Sequence, residues 1–68
     1  MDTELARTFL AVAATGNFVA AAQRLFVTQS TVSSRIASLE TQLGARLFQR
    51  GRHGAELTPS GKRFLKHA

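Results

Sequence analysis

The strongest constraint on this chain is the stretch Thr28-Gln29-Ser30-Thr31-Val32-Ser33-Ser34-Arg35-Ile36-Ala37-Ser38-Leu39-Glu40-Thr41-Gln42-Leu43-Gly44. Val32, Ile36, Leu39 and Leu43 recur at i, i+4, i+7 and i+11, a spacing that stacks them along one side of an α-helix. That side is expected to face a core. Successive residues advance about 100° around a helix, so Ser30, Ser33, Ser34, Ala37 and Thr41 fall on the remaining surface, all of them small and uncharged. Thr28 suits the N-cap, where its hydroxyl accepts from a first-turn N–H, and Gly44 suits the left-handed position that ends a helix. The spacing predicts a helix over 29–43.

An ordinary surface helix carries Lys and Glu on its outer face; this one is kept low in profile, as a helix lying deep in the DNA major groove must be. Gln29 at its start is able to make a bidentate contact with an adenine edge, and Ser30, Ser33 and Ser34 are able to donate or accept at any base. A solvated, Ser-rich face of a bundle helix would look the same in isolation, so the surroundings have to decide.

Net charge is +5, and its distribution is uneven. Residues 1–40 set Arg7, Arg24 and Arg35 against Asp2, Glu4 and Glu40, which cancel. Residues 41–68 set Arg46, Arg50, Arg52, Lys62, Arg63 and Lys66 against Glu56 alone. Clustered positive charge on a small domain is the footprint of a polyanion binder. With 68 residues the chain forms one small domain that buries only about 60% of its unfolded surface, so a partner or second copy would help it.

Other classes find little support. The chain has no Cys, which excludes a disulfide framework and thiolate metal sites. His53 and His67 lack metal-pair spacing and an acid–base partner, so no metal, cofactor or catalytic residue is expected. Gly61-Lys62 fails as a phosphate loop, because residue 56 is Glu and residue 63 is Arg. The longest apolar run, Phe9 to Ala14, is far short of the ~20 residues that span a bilayer, and the acidic start is unlike a signal peptide. The expectation is a cytoplasmic protein with no membrane partner.

Taken in order, Leu5, Phe9, Val12 and Ala13 predict a first helix within 2–14, capped by Asp2 or Thr3. Thr15-Gly16-Asn17 reads as a stop and a new cap, and Phe18, Ala21, Ala22 and Leu25 as the stripe of a second helix. Only Phe26 and Val27 separate it from the cap of the third, which makes the pair a helix-turn-helix. After Gly44, the segments 46–50 and 55–58 predict a β-hairpin around Gly51-Arg52-His53-Gly54, fastened by Leu47, Phe48 and Leu57, with Arg50, Arg52 and His53 projecting as a wing. Thr58-Pro59 then caps a fourth helix. Its apolar residues Phe64, Leu65 and Ala68 have too few expected neighbours inside so small a domain and suggest self-association. The fold class is mainly α with a small β-hairpin: a three-helix core, a wing and the start of a linker helix.

The run 21–33, followed by Ile36, Leu39-Glu40, Leu43-Gly44, Leu47-Phe48, Arg50 and Leu57-Thr58-Pro59-Ser60-Gly61, resembles the N-terminal winged helix-turn-helix of LysR-type transcriptional regulators. The resemblance implies sequence-specific binding of double-stranded DNA by a bacterial regulator, with helix 29–43 in the major groove and wing 50–54 on the backbone or minor groove. Base reading falls on Gln29, Ser30 and Ser33, with Ser34 and Arg35 beside them; Thr28, Thr31, Arg50, Arg52 and His53 fall at the backbone and wing. Many relatives have Pro at position 30 and Arg at position 34, where this chain has Ser. The resemblance further implies a DNA-binding domain over 1–58, a linker and dimerisation helix from 59–68, and a homodimer, or a tetramer in a full-length regulator. A small-molecule effector would act only through a C-terminal domain absent from these residues. The rival reading is a helical adaptor whose basic hairpin binds an acidic protein; it explains the charge but not the uncharged face of the third helix.

Overall fold

The computed structural model describes residues 3–51 and 54–67. Four helices and one hairpin follow in the order α1 (Thr3–Thr15), α2 (Phe18–Leu25), α3 (Gln29–Leu43), β1 (Phe48–Gly51), β2 (Gly54–Leu57) and α4 (Pro59–His67). Arg52, His53 and Ala68, expected in the wing and the dimer contact, lie outside the described residues, as does Asp2.

Local signals set the three core helices. Asn17 accepts from the Ala20 N–H at 3.0 Å and starts α2. Thr28 accepts from the Thr31 N–H at 3.1 Å and starts α3, and left-handed Gly44 ends it with its N–H on the Glu40 carbonyl. Between α2 and α3 the chain reverses through Phe26, which is left-handed (φ 59°) and 95% exposed. The Val27 N–H on the Ala22 carbonyl closes that turn at 3.0 Å. Ala21 and Ala22 are buried, and their small side chains let α1 and α3 close on α2.

The core unites Leu5, Phe9, Ala11 and Val12 of α1, the two alanines of α2, Val32, Ile36 and Leu39 of α3, and Leu47 and Phe48 of the hairpin. Thr8 is also fully buried, and its hydroxyl is satisfied by donating to the Glu4 carbonyl at 2.7 Å. Leu43 departs from the expected stripe: it is 42% exposed, because the core ends one turn before the helix does.

Four phenylalanines join the parts. Phe9 lies 5.3 Å from Phe48 and 4.8 Å, edge-on, from Phe64, while Phe18 meets Phe48 at 6.1 Å. Such pairs contribute about 0.5–1.5 kcal/mol each beyond area burial. The expectation that Phe64 lacks neighbours inside the domain therefore fails: it is half-buried against this domain's own core, leaving Leu65, 39% exposed, as the more open described apolar residue of α4.

The hairpin is antiparallel, with Phe48 opposite Leu57, Gln49 opposite Glu56, Arg50 opposite Ala55 and Gly51 opposite Gly54. Its strands lie nearer the tip than expected, and the reason is the fate of Arg46 and Leu47. The Thr58 hydroxyl donates to the Arg46 carbonyl, and the Thr58 N–H donates to the Leu47 carbonyl at 3.0 Å. Thr58 also caps α4 by accepting from the Gly61 N–H at 3.0 Å, as its sequence position predicts.

Candidate nucleic-acid interface

Gln29, Ser30, Ser33 and Ser34 are all exposed on α3. Gln29, Ser33 and Ser34 make no side-chain hydrogen bond among the described residues, so their polar atoms are open to an incoming base edge. At the helix start the hydroxyls form a small network: Thr28 Oγ1 lies 2.9 Å from Thr31 Oγ1 and 3.2 Å from Ser30 Oγ. That network fixes Thr28 and Thr31 beside the unpaired N–H groups of the first turn, where the helix dipole favours an anion.

Arg35 is placed differently from its neighbours. Two positions beyond Ser33 is about 200° round the helix. The guanidinium lies on the flank facing α1, 2.8 Å from Glu4 Oε2, with its side chain 28% exposed. Of the five residues expected to read bases, four are thus uncharged and exposed, while Arg35 is paired with Glu4 on the flank toward α1.

Beside the first turns of α3 opens a cleft of about 440 Å³, bounded by Asn17, Phe18 and Val19 at the start of α2 and by the hairpin. Gln29 and Ser33 line one wall, and Arg46, Gln49 and Arg50 line the other. Arg46 and Arg50 are both exposed, so two uncharged residues of α3 and part of the basic excess meet in one concavity. The remaining described cations of the basic segment, Lys62, Arg63 and Lys66, lie exposed on α4.

Three residues that position this wall escaped the sequence reading. Glu40 Oε2 accepts from the Leu47 N–H at 2.7 Å and the Phe48 N–H at 3.4 Å, tying the hairpin to α3. Gly16 offers its carbonyl to the Ala55 N–H at 2.9 Å, tying the second strand to the α1–α2 turn. Gly61 is buried where a Cβ would run into the Leu47 carbonyl, so α4 can rest directly on the hairpin. A glutamate in an otherwise uncharged helical face, and Gly61 inside the expected fourth helix where no turn requires a glycine, are the available signals; the Gly16 carbonyl leaves none.

A second surface concavity, about 590 Å³, runs between α1, α2 and α4. Its lining includes Leu10, 41% exposed, and Leu65, with Arg7 and Arg24 among its other residues.

A helix-turn-helix followed by a hairpin and a further helix, with α3 presenting an uncharged face next to cations, defines a winged helix-turn-helix domain. The profile of the family described as "Bacterial regulatory helix-turn-helix protein, lysR family" matches residues 3–62, and the chain belongs to that family, one of transcriptional regulators rather than enzymes. It is 56% identical over 68 residues to the HTH-type transcriptional regulator HdfR of Yersinia enterocolitica, a match covering 100% of this chain and 23% of that protein. The chain thus spans about a quarter of the length of the curated relatives it matches. Among solved structures it is similar to the CbnR DBD–DNA complex (40% identity, TM-score 0.92, 98% of this chain and 77% of that one). It is likewise similar to the BenM DBD/benA site 1 DNA complex (34% identity, TM-score 0.91, 98% and 75%). Among the described residues no helix is long and apolar enough to cross a membrane.

Proposed function

We propose that this domain binds double-stranded DNA with sequence preference, as the N-terminal module of a cytoplasmic LysR-type transcriptional regulator. The observation that carries the reading is the cleft in which Gln29 and Ser33 face Arg46 and Arg50. The CbnR and BenM domains, solved with DNA, support it by their likeness over 98% of the chain. In this reading α3 enters the major groove. Gln29, Ser30, Ser33 and Ser34 meet base edges, Thr28 and Thr31 meet a phosphate at the helix start, and Arg50, with Arg52 and His53 beyond it, meets the backbone or minor groove. Fluorescence anisotropy on a duplex selected from a random pool tests it. Gln29→Ala should cost about 1–3 kcal/mol on the selected duplex and relax preference at one base position, with little change on random DNA. Equal loss on both duplexes would remove Gln29 from readout, and equal wild-type affinity for both would favour a plain polyanion or acidic-protein binder.

The reading extends to assembly. Residues 1–58 act as the DNA-binding unit, and 59–68 begin a linker helix that pairs two copies, with a tetramer and a small-molecule effector domain belonging to a longer protein. Two recognition helices then stand about 34 Å apart on a partly palindromic site. The exposed Leu65 and Leu10 of the second concavity supply apolar surface for that pairing. Because Phe64 belongs to the core, Leu65→Asp is the cleaner probe. Sedimentation should find concentration-dependent association in wild type and a monomer in Leu65→Asp, since a charge buried against apolar neighbours is strongly disfavoured. Monomers in both proteins, loading two half-sites independently, would count against the dimer.

A further inference from the structure

The recognition helix carries a single cation, and that cation, Arg35, is drawn back onto Glu4 of α1. Positive charge beside the readers therefore has to come from outside α3. Arg46, just beyond the end of α3, supplies it from a backbone held on both sides. The carbonyl of Arg46 accepts from the Thr58 hydroxyl, and the next N–H, that of Leu47, donates to Glu40 at 2.7 Å. The Leu47 carbonyl accepts from the Thr58 N–H at 3.0 Å and is overlaid by Gly61. The side chain is the opposite of this fixed base. It is 78% exposed, lines the cleft with Gln29, Ser33 and Arg50, and keeps only a loose partner, with Nε 3.7 Å from Glu40 Oε2. An exposed pair at that distance adds little to stability, so it does not account for an arginine at this point.

We propose that Arg46 is a DNA-contacting residue that anchors a phosphate of the strand bordering the cleft, between the bases met by Gln29 and Ser33 and the backbone met by the wing. The assignment rests on the DNA-binding reading above. A cation on a rigid base next to the readers fixes the register in which α3 enters the groove; it carries no base preference of its own.

The test is a salt titration by anisotropy on selected and random duplexes, using wild type, Arg46→Ala and Arg46→Lys. One phosphate contact contributes about 0.9 to the slope of log K against log salt, which extrapolates to about eightfold in affinity near 0.1 M salt. Arg46→Ala should lose about that much on both duplexes and lower the slope by about one, with a melting temperature within a few degrees of wild type. Arg46→Lys, which keeps the charge, should keep the slope. Wild type bound normally while Arg46→Ala retains its full slope would overturn the proposal and leave the DNA reading standing. A loss confined to the selected duplex would also overturn it, by making Arg46 a base reader. Wild type binding neither duplex would remove the DNA reading and this role together.

Discussion

The two walls of the cleft are held in place by different means. Recognition helix α3 is specified by residues within or next to itself: the Thr28 cap, the Val32–Ile36–Leu39 stripe and the Gly44 stop. The opposite wall, from Arg46 through the hairpin, is specified by residues distant in sequence. Glu40 holds Leu47 and Phe48, Gly16 holds Ala55, and Thr58 with Gly61 holds Arg46 and Leu47. Hydrogen bonds to a charged acceptor such as Glu40 contribute about 1.5–3 kcal/mol, as much as burying Leu47 or Phe48 in the core, so a few tertiary bonds and two buried side chains position that wall. The difference separates two properties of the interface. The surface proposed to read bases comes with the helix, whereas the cationic surface comes with the docking of the hairpin, and one should be perturbable without the other.

Gly54→Ala is the strongest way to break that separation. Gly54 has φ +129°, a conformation L side chains rarely adopt, and a Cβ there would collide with the Gly16 carbonyl that anchors the second strand. Overpacking against backbone costs about 1–3 kcal/mol. At about 4–8 °C per kcal/mol for a domain of this size, thermal melting should fall by roughly 5–20 °C. With the hairpin lifted from the α1–α2 turn, affinity below the melting temperature should drop alike on selected and random DNA. The base preference recovered from a random pool should stay that of wild type. A changed preference would mean that the hairpin helps aim α3, and the two walls would have to be treated as one unit.

What could be read from the sequence follows the same division. Helices α1, α2 and α3, the caps of α2 and α3, the hairpin's existence and the Thr58–Pro59 start of α4 are all written in local periodicity and cap residues, and they stand within one or two residues of expectation. Thr8 was illegible as core because its hydroxyl is polar; only the bond to the Glu4 carbonyl makes its burial cheap. Phe64 looked unpartnered because Phe9 lies 55 positions earlier in the chain, and no local pattern reports that edge-on contact. Glu40 was legible as a charge but not as a strut, since its partners are backbone N–H groups that carry no sequence signature. In the candidate site, Ser33 is legible from its place on the outer face of the helix, and Gln29 from its place at the helix start. Arg46 was counted only in the charge balance, because its position beside them depends on how the loop after Gly44 folds back.

Arg35→Ala has the smallest expected effect and sharpens the comparison at the helix itself. Arg35 and Glu4 form a half-exposed pair that braces α3 against α1, with side chains 28% and 59% exposed. Pairs of this kind contribute about 0.2–1 kcal/mol, so melting should fall by no more than a few degrees. If bracing is its whole role, Arg35→Ala should leave the selected base preference intact, and any loss of affinity should be equal on selected and random DNA. If Arg35 instead leaves Glu4 for a guanine in the complex, removing it should cost about 1–3 kcal/mol on the selected duplex alone and relax one base position. Glu4→Gln separates these cases further. Weakening the brace should leave binding unchanged when Arg35 is structural, and should tighten binding to the selected duplex when the same guanidinium is needed in the groove. The outcome decides whether α3 reads DNA with uncharged side chains alone, leaving its cationic contacts to Arg46 and the wing.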